Sequence, residues 1–374
     1  MARLVVLDTD DPTFLNGLRR AWDDGNAILP VDPRWPPPLR AAILDAARLA
    51  EPCEPGDALA MATSGTTGAP RVAMLTHAAL AASASAISRR LEVDPARDRW
   101  LACLPLAHIG GLSVVTRALL TTTPLTLQPR FDAAAVGQAA ADGCTLTALV
   151  PTTLSRVDPG RFRTILVGGQ AVPEERPPNV IATYGMTETG SGVVYDGVPL
   201  EGVELRISPA GEVQVRAAML LRAYRDGHDP KDAHGWLPTG DMGSLTNGIL
   251  SVYGRGSDLI ITGGENVWPV AVEEALLRHP KVAEVAVVGR PDPEWGAQVV
   301  AVVVPVEAGD PPTLHQLRQH VKQWLPAAAA PRSTEIVAAL PRTPNGKIIR
   351  AALQAAPTIS GGPPDPTTRR RLPP

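Results

Sequence analysis

Thr63, Ser64, Gly65, Thr66, Thr67 and Gly68, followed by Ala69-Pro70-Arg71, crowd hydroxyls and glycines into one short stretch. Glycine lets a backbone approach an anion closely, and backbone N–H groups and hydroxyls donate to charged oxygens without adding bulk. That combination suits a cradle for polyphosphate oxygens. Read alone, the stretch is equally a flexible Ser/Thr/Gly surface loop. No Gly-Lys-Ser/Thr follows it, and Val72-Ala73-Met74-Leu75 reads as a strand rather than a helix, so it is not a Walker-type phosphate loop.

Five further segments follow in order: Tyr184-Gly185-Met186-Thr187-Glu188-Thr189, Thr239-Gly240-Asp241, Tyr253-Gly254-Arg255, Gly263-Gly264-Glu265-Asn266-Val267 and Pro344-Asn345-Gly346-Lys347. Each has a plain structural reading. Thr187-Glu188 can cap a helix with an acidic first turn, and Asp241 can form an Asx turn. Arg255 can be an exposed cation, and Lys347 a solvated side chain raised on the tight Asn345-Gly346 turn. Taken together with the first loop, over residues 57–353, the series resembles the adenylate-forming superfamily of acyl- and aryl-CoA synthetases, luciferases and peptide-synthetase adenylation domains.

The resemblance implies a role for each match. Residues 63–68 would cradle the β- and γ-phosphates of ATP, Thr187 would contact the α-phosphate, and Glu188 would hold Mg²⁺, a hard ion suited to a carboxylate and bridging phosphates. Gly168-Gly169-Gln170 is similar to the family's adenine-contacting turn, and Tyr184, in Tyr184-Gly185-Met186, to the ring that stacks on the base. Asp241 would bind the ribose hydroxyls, with Arg255 approaching ribose and phosphate. Lys347 would be the cation that swings in to neutralise charge during adenylation. Gly263, Gly264 and Glu265 would line the path of the pantetheine arm of coenzyme A, because paired glycines let a narrow thiol arm pass close to the backbone. Ser257 falls where the family's hinge more often carries Asp or Lys. Arg71 replaces the more frequent lysine, which keeps the charge but changes its geometry.

Leu104-Pro105-Leu106-Ala107-His108-Ile109-Gly110-Gly111-Leu112, followed by Arg117, is most similar within that superfamily to the o-succinylbenzoate–CoA ligases of menaquinone biosynthesis. His108, Gly111 and Arg117 are then expected at the acyl pocket. Arg117 would pair with the second carboxylate, because a buried carboxylate needs a partner such as a bidentate guanidinium. The alternative for these residues is a surface arginine and a core histidine. The implied activity is ATP-dependent formation of an acyl-adenylate, then of a CoA thioester. A ligase for another aryl or short acyl acid, a domain that loads a carrier protein, and a non-catalytic nucleotide-binding relative remain alternatives.

These motifs need elements to hold them. The chain has 374 residues, 44% hydrophobic and 20% charged, enough for two cores. With 35 Lys and Arg against 38 Asp and Glu, nothing in the charge suggests a nucleic-acid or anionic-membrane partner; the resemblance implies a small carboxylic acid, ATP and CoA as partners, and a homodimer is open. Cys53, Cys103 and Cys144 form no CxxC pair and have no adjacent histidines, which suggests core thiols. The N-terminus turns acidic before a signal-length apolar run develops, and no run of about 18 apolar residues occurs, so a cytoplasmic protein without membrane insertion is expected.

Apolar runs at 147–150, 164–167 and 180–183 alternate with helical stretches at 77–90 and 133–141, the pattern of an α/β fold. Residues 203–207 and 212–216 read as a hairpin. Beyond Gly254 a strand at 258–261, a helix from Pro269 to His279, strands at 284–288 and 298–304, and a helix capped by Thr313 and running to Trp324 describe a smaller α+β domain. The expected organisation is a large layered α/β adenylation domain over 1–254 with a shortened N-terminal portion, a small mobile lid domain over 255–356, and a disordered tail over 357–374.

Overall fold

The computed structural model describes residues 1–63, 70–170, 172, 175–342 and 348–355. Ser64, Gly65, Thr66, Thr67 and Gly68 of the phosphate loop, Lys347 and the tail expected from 357 lie outside the described residues. The chain divides into two compact units, Met1–Gly256 and Ser257 onward.

The first unit contains three sheets. One runs Leu4–Asp8, Ala27–Val31, Asp57–Thr63, Arg71–Thr76 and Ala223–Tyr224; the first three strands are parallel and the last two antiparallel to their neighbours. The second has the order Val198–Pro199, Ser191–Tyr195, Val180–Met186, Thr164–Gly168, Leu146–Leu149, Trp100–Ala102 and Leu125–Leu127. Its last five strands are mutually parallel. Strands covered on both faces read as near-continuous apolar runs, and Ile165, Leu166 and Val167 are all buried. The third sheet is the antiparallel ribbon Val203–Ile207, Glu212–Ala217, Leu237–Thr246 and Ile249–Arg255, which includes the expected hairpin.

Helices cover the second sheet for local reasons. His77–Arg90 begins at Thr76, whose hydroxyl accepts from the Ala79 N–H at 3.1 Å. Ile109–Leu120 packs against that helix and against four strands of the sheet, so its residues from Gly111 to Ala118 are all buried and it shows no polar face there. Gly111 lets the helix settle onto its own entry loop: a Cβ there would fall on the carbonyl oxygens of Leu104 and Pro105.

The second unit is built on Glu265–Val267, Ile260–Thr262, Gly296–Pro305 and Val282–Asp292, with Ser333–Ile336 added parallel to Gly296–Pro305. Pro269 opens the helix Pro269–Leu277 at its first position, and Thr313 with Gln316 forms a capping box on Leu314–Val321. Three expectations shift in extent. Residues 256–258 form a 3₁₀ turn, so the strand expected from Asp258 begins at Ile260; the helix from Pro269 ends at Leu277; and that from Thr313 ends at Val321, because Trp324 already belongs to the following turn. Strands at 284–288 and 298–304 are longer than the β-branched runs alone suggest, since a twisted antiparallel pair continues wherever backbone partners persist. Among the described residues no helix is long and apolar enough to cross a membrane.

Candidate active site

Parallel neighbours bring the first two motifs together. Gly168 pairs with Thr183, which sets the turn Gly168-Gly169-Gln170 beside Tyr184 at the carboxyl ends of their strands, where open α/β sheets bind ligands. Glycine is required at three of these positions. A Cβ on Gly168 would collide with Thr183 Oγ1, one on Gly185 with the Ser191 carbonyl oxygen of the adjacent strand, and Gly169 has φ +80°. Met186 follows Gly185, and its backbone N–H donates to Thr189 Oγ1 at 2.9 Å, which tightens the 3₁₀ turn Thr187–Thr189.

From Tyr184 the site reaches the third sheet. The Tyr184 hydroxyl donates to Asp241 Oδ2 at 2.8 Å, and burial followed by the Asp241 carboxylate pushes the phenol well above its ordinary range, so it stays a donor. Arg255 lies opposite Asp241 on the neighbouring strand; its Nε approaches Oδ1 at 2.9 Å and its Nη1 donates to the Thr239 carbonyl at 2.9 Å. The Asp241 N–H donates to Thr239 Oγ1 at 3.1 Å. Asp241 is only 8% exposed, yet a carboxylate offers about four acceptor positions, so two donors leave capacity for a vicinal diol. Tyr184, Asp241 and Arg255, separated in sequence, thus form one hydrogen-bonded cluster.

Glu188 lies one turn beyond Tyr184. Its Oε1 accepts from the Tyr224 hydroxyl at 2.8 Å, and its backbone carbonyl accepts from the Leu221 N–H at 2.8 Å. Burial, then Glu188, raises the Tyr224 phenol as well. The Arg71 guanidinium lies 3.7 Å from the Tyr224 ring centroid. Thr63, the described end of the phosphate loop's first strand, donates to the Arg71 carbonyl at 3.4 Å. Among the described residues no group of three His, Cys, Asp or Glu side chains forms a cage of its own for a metal. One half-buried carboxylate whose second oxygen carries no hydrogen bond among the described residues does fit a Mg²⁺ that takes its remaining oxygens from phosphate and water.

The residues expected at the acyl pocket lie along one helix and its entry. His108 precedes the helix Ile109–Leu120, and its ring lies 6.2 Å from that of Trp35. Nine residues of helix rise carry Arg117 about 13 Å further along the axis. There it is 3% exposed, with its guanidinium 4.8 Å from the Trp100 ring centroid, and Nε and Nη1 have no hydrogen-bond partner among the described residues. Arg117 is therefore a buried cation and not a surface one: a helix covered from Gly111 to Ala118 has no surface side there on which to place it. Gly111 is likewise buried against the 104–105 carbonyls rather than bordering open space.

Sequence reasoning missed two groups. Asp32, Arg34 and Trp35 come from the segment after Ala27–Val31; Arg34 Nε donates to Asp32 Oδ1 at 2.8 Å, and Trp35 faces His108. Tyr224 is the other. The first group sits in an irregular stretch and Tyr224 in a strand of only two residues, and neither carries a motif that could have drawn attention to it. A depression of about 460 Å³ lined by Ser85, Ser88, Arg89 and Leu120 contains none of these site residues.

In the second unit, Gly263 and Gly264 form a left-handed turn with φ +59° and +82°. The Trp295 ring packs against Gly263, whose N–H donates to the Trp295 carbonyl at 2.9 Å, whereas none of the described residues lies within 4 Å of a Cβ placed on Gly264. Glu265 is exposed at the start of its strand. Ser257 lies in the 3₁₀ turn, where its hydroxyl donates to Asp258 Oδ1 at 3.3 Å.

Residues 5–219 match the AMP-binding enzyme family and residues 271–347 match the AMP-binding enzyme C-terminal domain. The chain belongs to the AMP-binding enzyme family. It is 39% identical over 345 residues to a probable 2-succinylbenzoate–CoA ligase of Mycobacterium tuberculosis (strain CDC 1551 / Oshkosh), covering 85% of this chain and 89% of the relative. Among solved structures it is similar to o-succinylbenzoate CoA synthetase from Bacillus subtilis in complex with the acyl-adenylate intermediate OSB-AMP, with TM-score 0.85, 27% identity, and coverage of 95% of this chain and 88% of that one. The same synthetase in complex with ATP and magnesium ion matches with TM-score 0.84 and 27% identity, over 94% and 89% of the two chains.

Proposed function

We propose that this chain is an AMP-forming ligase that activates o-succinylbenzoate with ATP and passes the acyl group to coenzyme A. The observation that carries the nucleotide part is the Tyr184–Asp241–Arg255 cluster set beside Glu188 at the carboxyl end of the parallel sheet. The identity and coverage of the 2-succinylbenzoate–CoA ligase relative, and the likeness to the OSB-AMP complex, support the acid.

In this reading the substrate carboxylate attacks the α-phosphorus, an O–P bond forms, and the bond to the β-phosphate breaks to release pyrophosphate. The CoA thiolate then attacks the acyl carbon and AMP leaves. Tyr184 stacks on adenine beside the Gly168-Gly169-Gln170 turn, with Gly185 and Met186 shaping that wall. Asp241 accepts from the ribose hydroxyls, and Arg255 holds Asp241 in place. Thr187 donates to the α-phosphate. Residues 63–68 bind the β- and γ-phosphates, and Lys347 neutralises charge developing on the α-phosphate and the attacking carboxylate. Glu188 would hold Mg²⁺, which supplies charge neutralisation on the phosphates. Gly264 and Glu265 border the pantetheine path, Ser257 lies at the hinge, and His108 packs at the acyl side. ATP and CoA are cytoplasmic pools, and we place the reaction there.

The test is pyrophosphate release by the purified chain against a panel of o-succinylbenzoate, benzoate, succinate and malonate, followed by thioester formation with free CoA. Release specific to o-succinylbenzoate with CoA thioester formation is expected. Preference for another acid would reassign the substrate, and thioester formation only on a carrier protein would reassign the acceptor.

A further inference from the structure

We propose that Tyr224 is a positioning residue for the Glu188 carboxylate, and that Arg71 locks it in place, so that Glu188 presents one defined oxygen to the magnesium of Mg·ATP. This inference rests on the metal reading of Glu188 above and extends it to Tyr224, outside the nucleotide motifs, and to Arg71, at the end of the first of them.

Tyr224 is held from every direction that the described residues reveal. Ala223–Tyr224 pairs antiparallel with Arg71–Thr76, placing Tyr224 opposite Ala73. The next residue, Arg225, is 8% exposed, and its guanidinium donates to four carbonyls of one loop: Ala47 at 3.0 Å, Arg48 at 3.2 Å, Glu51 at 2.6 Å and Pro52 at 2.9 Å. The Tyr224 N–H donates to the His228 carbonyl at 2.9 Å, and the His228 ring lies parallel to the phenol at 6.1 Å. Arg71 covers the phenol ring at 3.7 Å while its Nη2 stands 3.5 Å from Asp226. A planar guanidinium stacks on an aromatic face in a way an ammonium does not, which gives the arginine at position 71 a specific use.

The hydroxyl so fixed donates to Glu188 Oε1 at 2.8 Å, and the Leu221 N–H holds the Glu188 backbone carbonyl from the same segment. Glu188 is therefore restrained at both its backbone and its side chain by residues 221–224. With Oε1 engaged, Oε2 is the oxygen that carries no hydrogen bond among the described residues, and it would be the one to meet a hard cation. Partners that orient a metal ligand commonly govern metal affinity by about 10- to 100-fold. A core tyrosine that merely filled space would need some acceptor, but not the Glu188 carboxylate two residues beyond the adenine strand. Because Arg71 directly follows the phosphate loop in sequence, the same stack ties that loop's exit strand to the metal carboxylate.

The experiment uses the full chain and three variants: Tyr224→Phe, Glu188→Gln and Arg71→Lys. Mn²⁺ binding to the enzyme–ATP complex is followed by electron paramagnetic resonance of the free ion, and ATP binding is measured separately without divalent metal. Tyr224→Phe keeps the ring and is expected to weaken Mn²⁺ binding about tenfold or more while metal-free ATP binding stays level. Arg71→Lys retains charge but loses the stack, and should shift the metal titration in the same direction by a smaller factor. Unaltered Mn²⁺ binding in Tyr224→Phe alongside a weakened Glu188→Gln would overturn the positioning role and leave the metal reading standing. Unaltered binding in Glu188→Gln would instead remove the metal reading itself. Equal loss of metal-free ATP binding in Tyr224→Phe would also overturn the proposal, since that marks a general structural effect.

Discussion

Replacing Tyr184 with phenylalanine removes one oxygen and separates two roles of that residue. The ring that would stack on adenine remains, while Asp241 Oδ2 loses a donor at 2.8 Å. A hydrogen bond to a charged group contributes about 1.5–3 kcal/mol. The other side-chain partner compensates little: Arg255 is 43% exposed, and an ion pair with so open a cation is worth at most about 1 kcal/mol. At about 2–4 °C per kcal/mol for a domain of this size, Tyr184→Phe without ligand should melt roughly 3–12 °C lower. ATP then reverses part of the deficit. Its ribose brings two donors to the carboxylate left short, so the gap between variant and wild type should narrow at saturating ATP. By linkage the variant binds ATP more tightly than the wild type. Scanning calorimetry with and without ATP, with titration calorimetry for the affinity, measures all three quantities. An equal deficit with and without ATP, or weaker ATP binding by Tyr184→Phe, refutes the ribose role of Asp241; no deficit without ligand refutes the energetic argument.

Gly185→Ala should destabilise the first unit by about 1–3 kcal/mol or more, because its Cβ would meet the Ser191 carbonyl oxygen of the paired strand, and chemical denaturation would show it. Arg117→Met replaces a buried guanidinium with two unpaired nitrogens by an apolar chain of similar length; stability should hold or rise, and the KM for o-succinylbenzoate should not change, with a raised KM returning Arg117 to the acyl pocket. Although burial works against it, hydrogen bonds from Arg163, Asp94 and Thr145 hold the Asp98 carboxyl below its ordinary range. A depressed folded value means that this contribution to stability is complete above about pH 4 and is lost as pH falls through the folded value, so Asp98→Asn should flatten melting temperature against pH in that acid window. Lys347→Ala should cost about 3 kcal/mol or more in adenylation yet spare thioester formation from supplied acyl-adenylate, and equal damage to both half-reactions would contradict a role confined to the first.

Much of this protein is determined locally, and the sequence alone carries that part. Capping by Thr76 and Thr313, the proline opening Pro269–Leu277, the apolar runs of the parallel sheet and the hairpin at 203–217 are short-range preferences, legible wherever side chain and backbone satisfy one another within a few residues. The ordered glycine, hydroxyl and carboxylate motifs pointed to the family for a related reason: phosphate and ribose chemistry restricts residue type at fixed local spacing. Tertiary structure decided which of those residues act on one another. Tyr184 meets Asp241 across 57 residues and Tyr224 meets Glu188 across 36, distances over which no periodicity operates. It also decided what burial means. Arg117, at the last turn of an apolar helix, reads as a pocket cation or a surface one until four strands and a second helix close around the helix that carries it. Gly111 reads as the border of a pocket until the 104–105 carbonyls occupy the space beside it. A helical pattern states which residues are apolar, but only packing states how many faces are covered, and so whether a charge can reach a ligand.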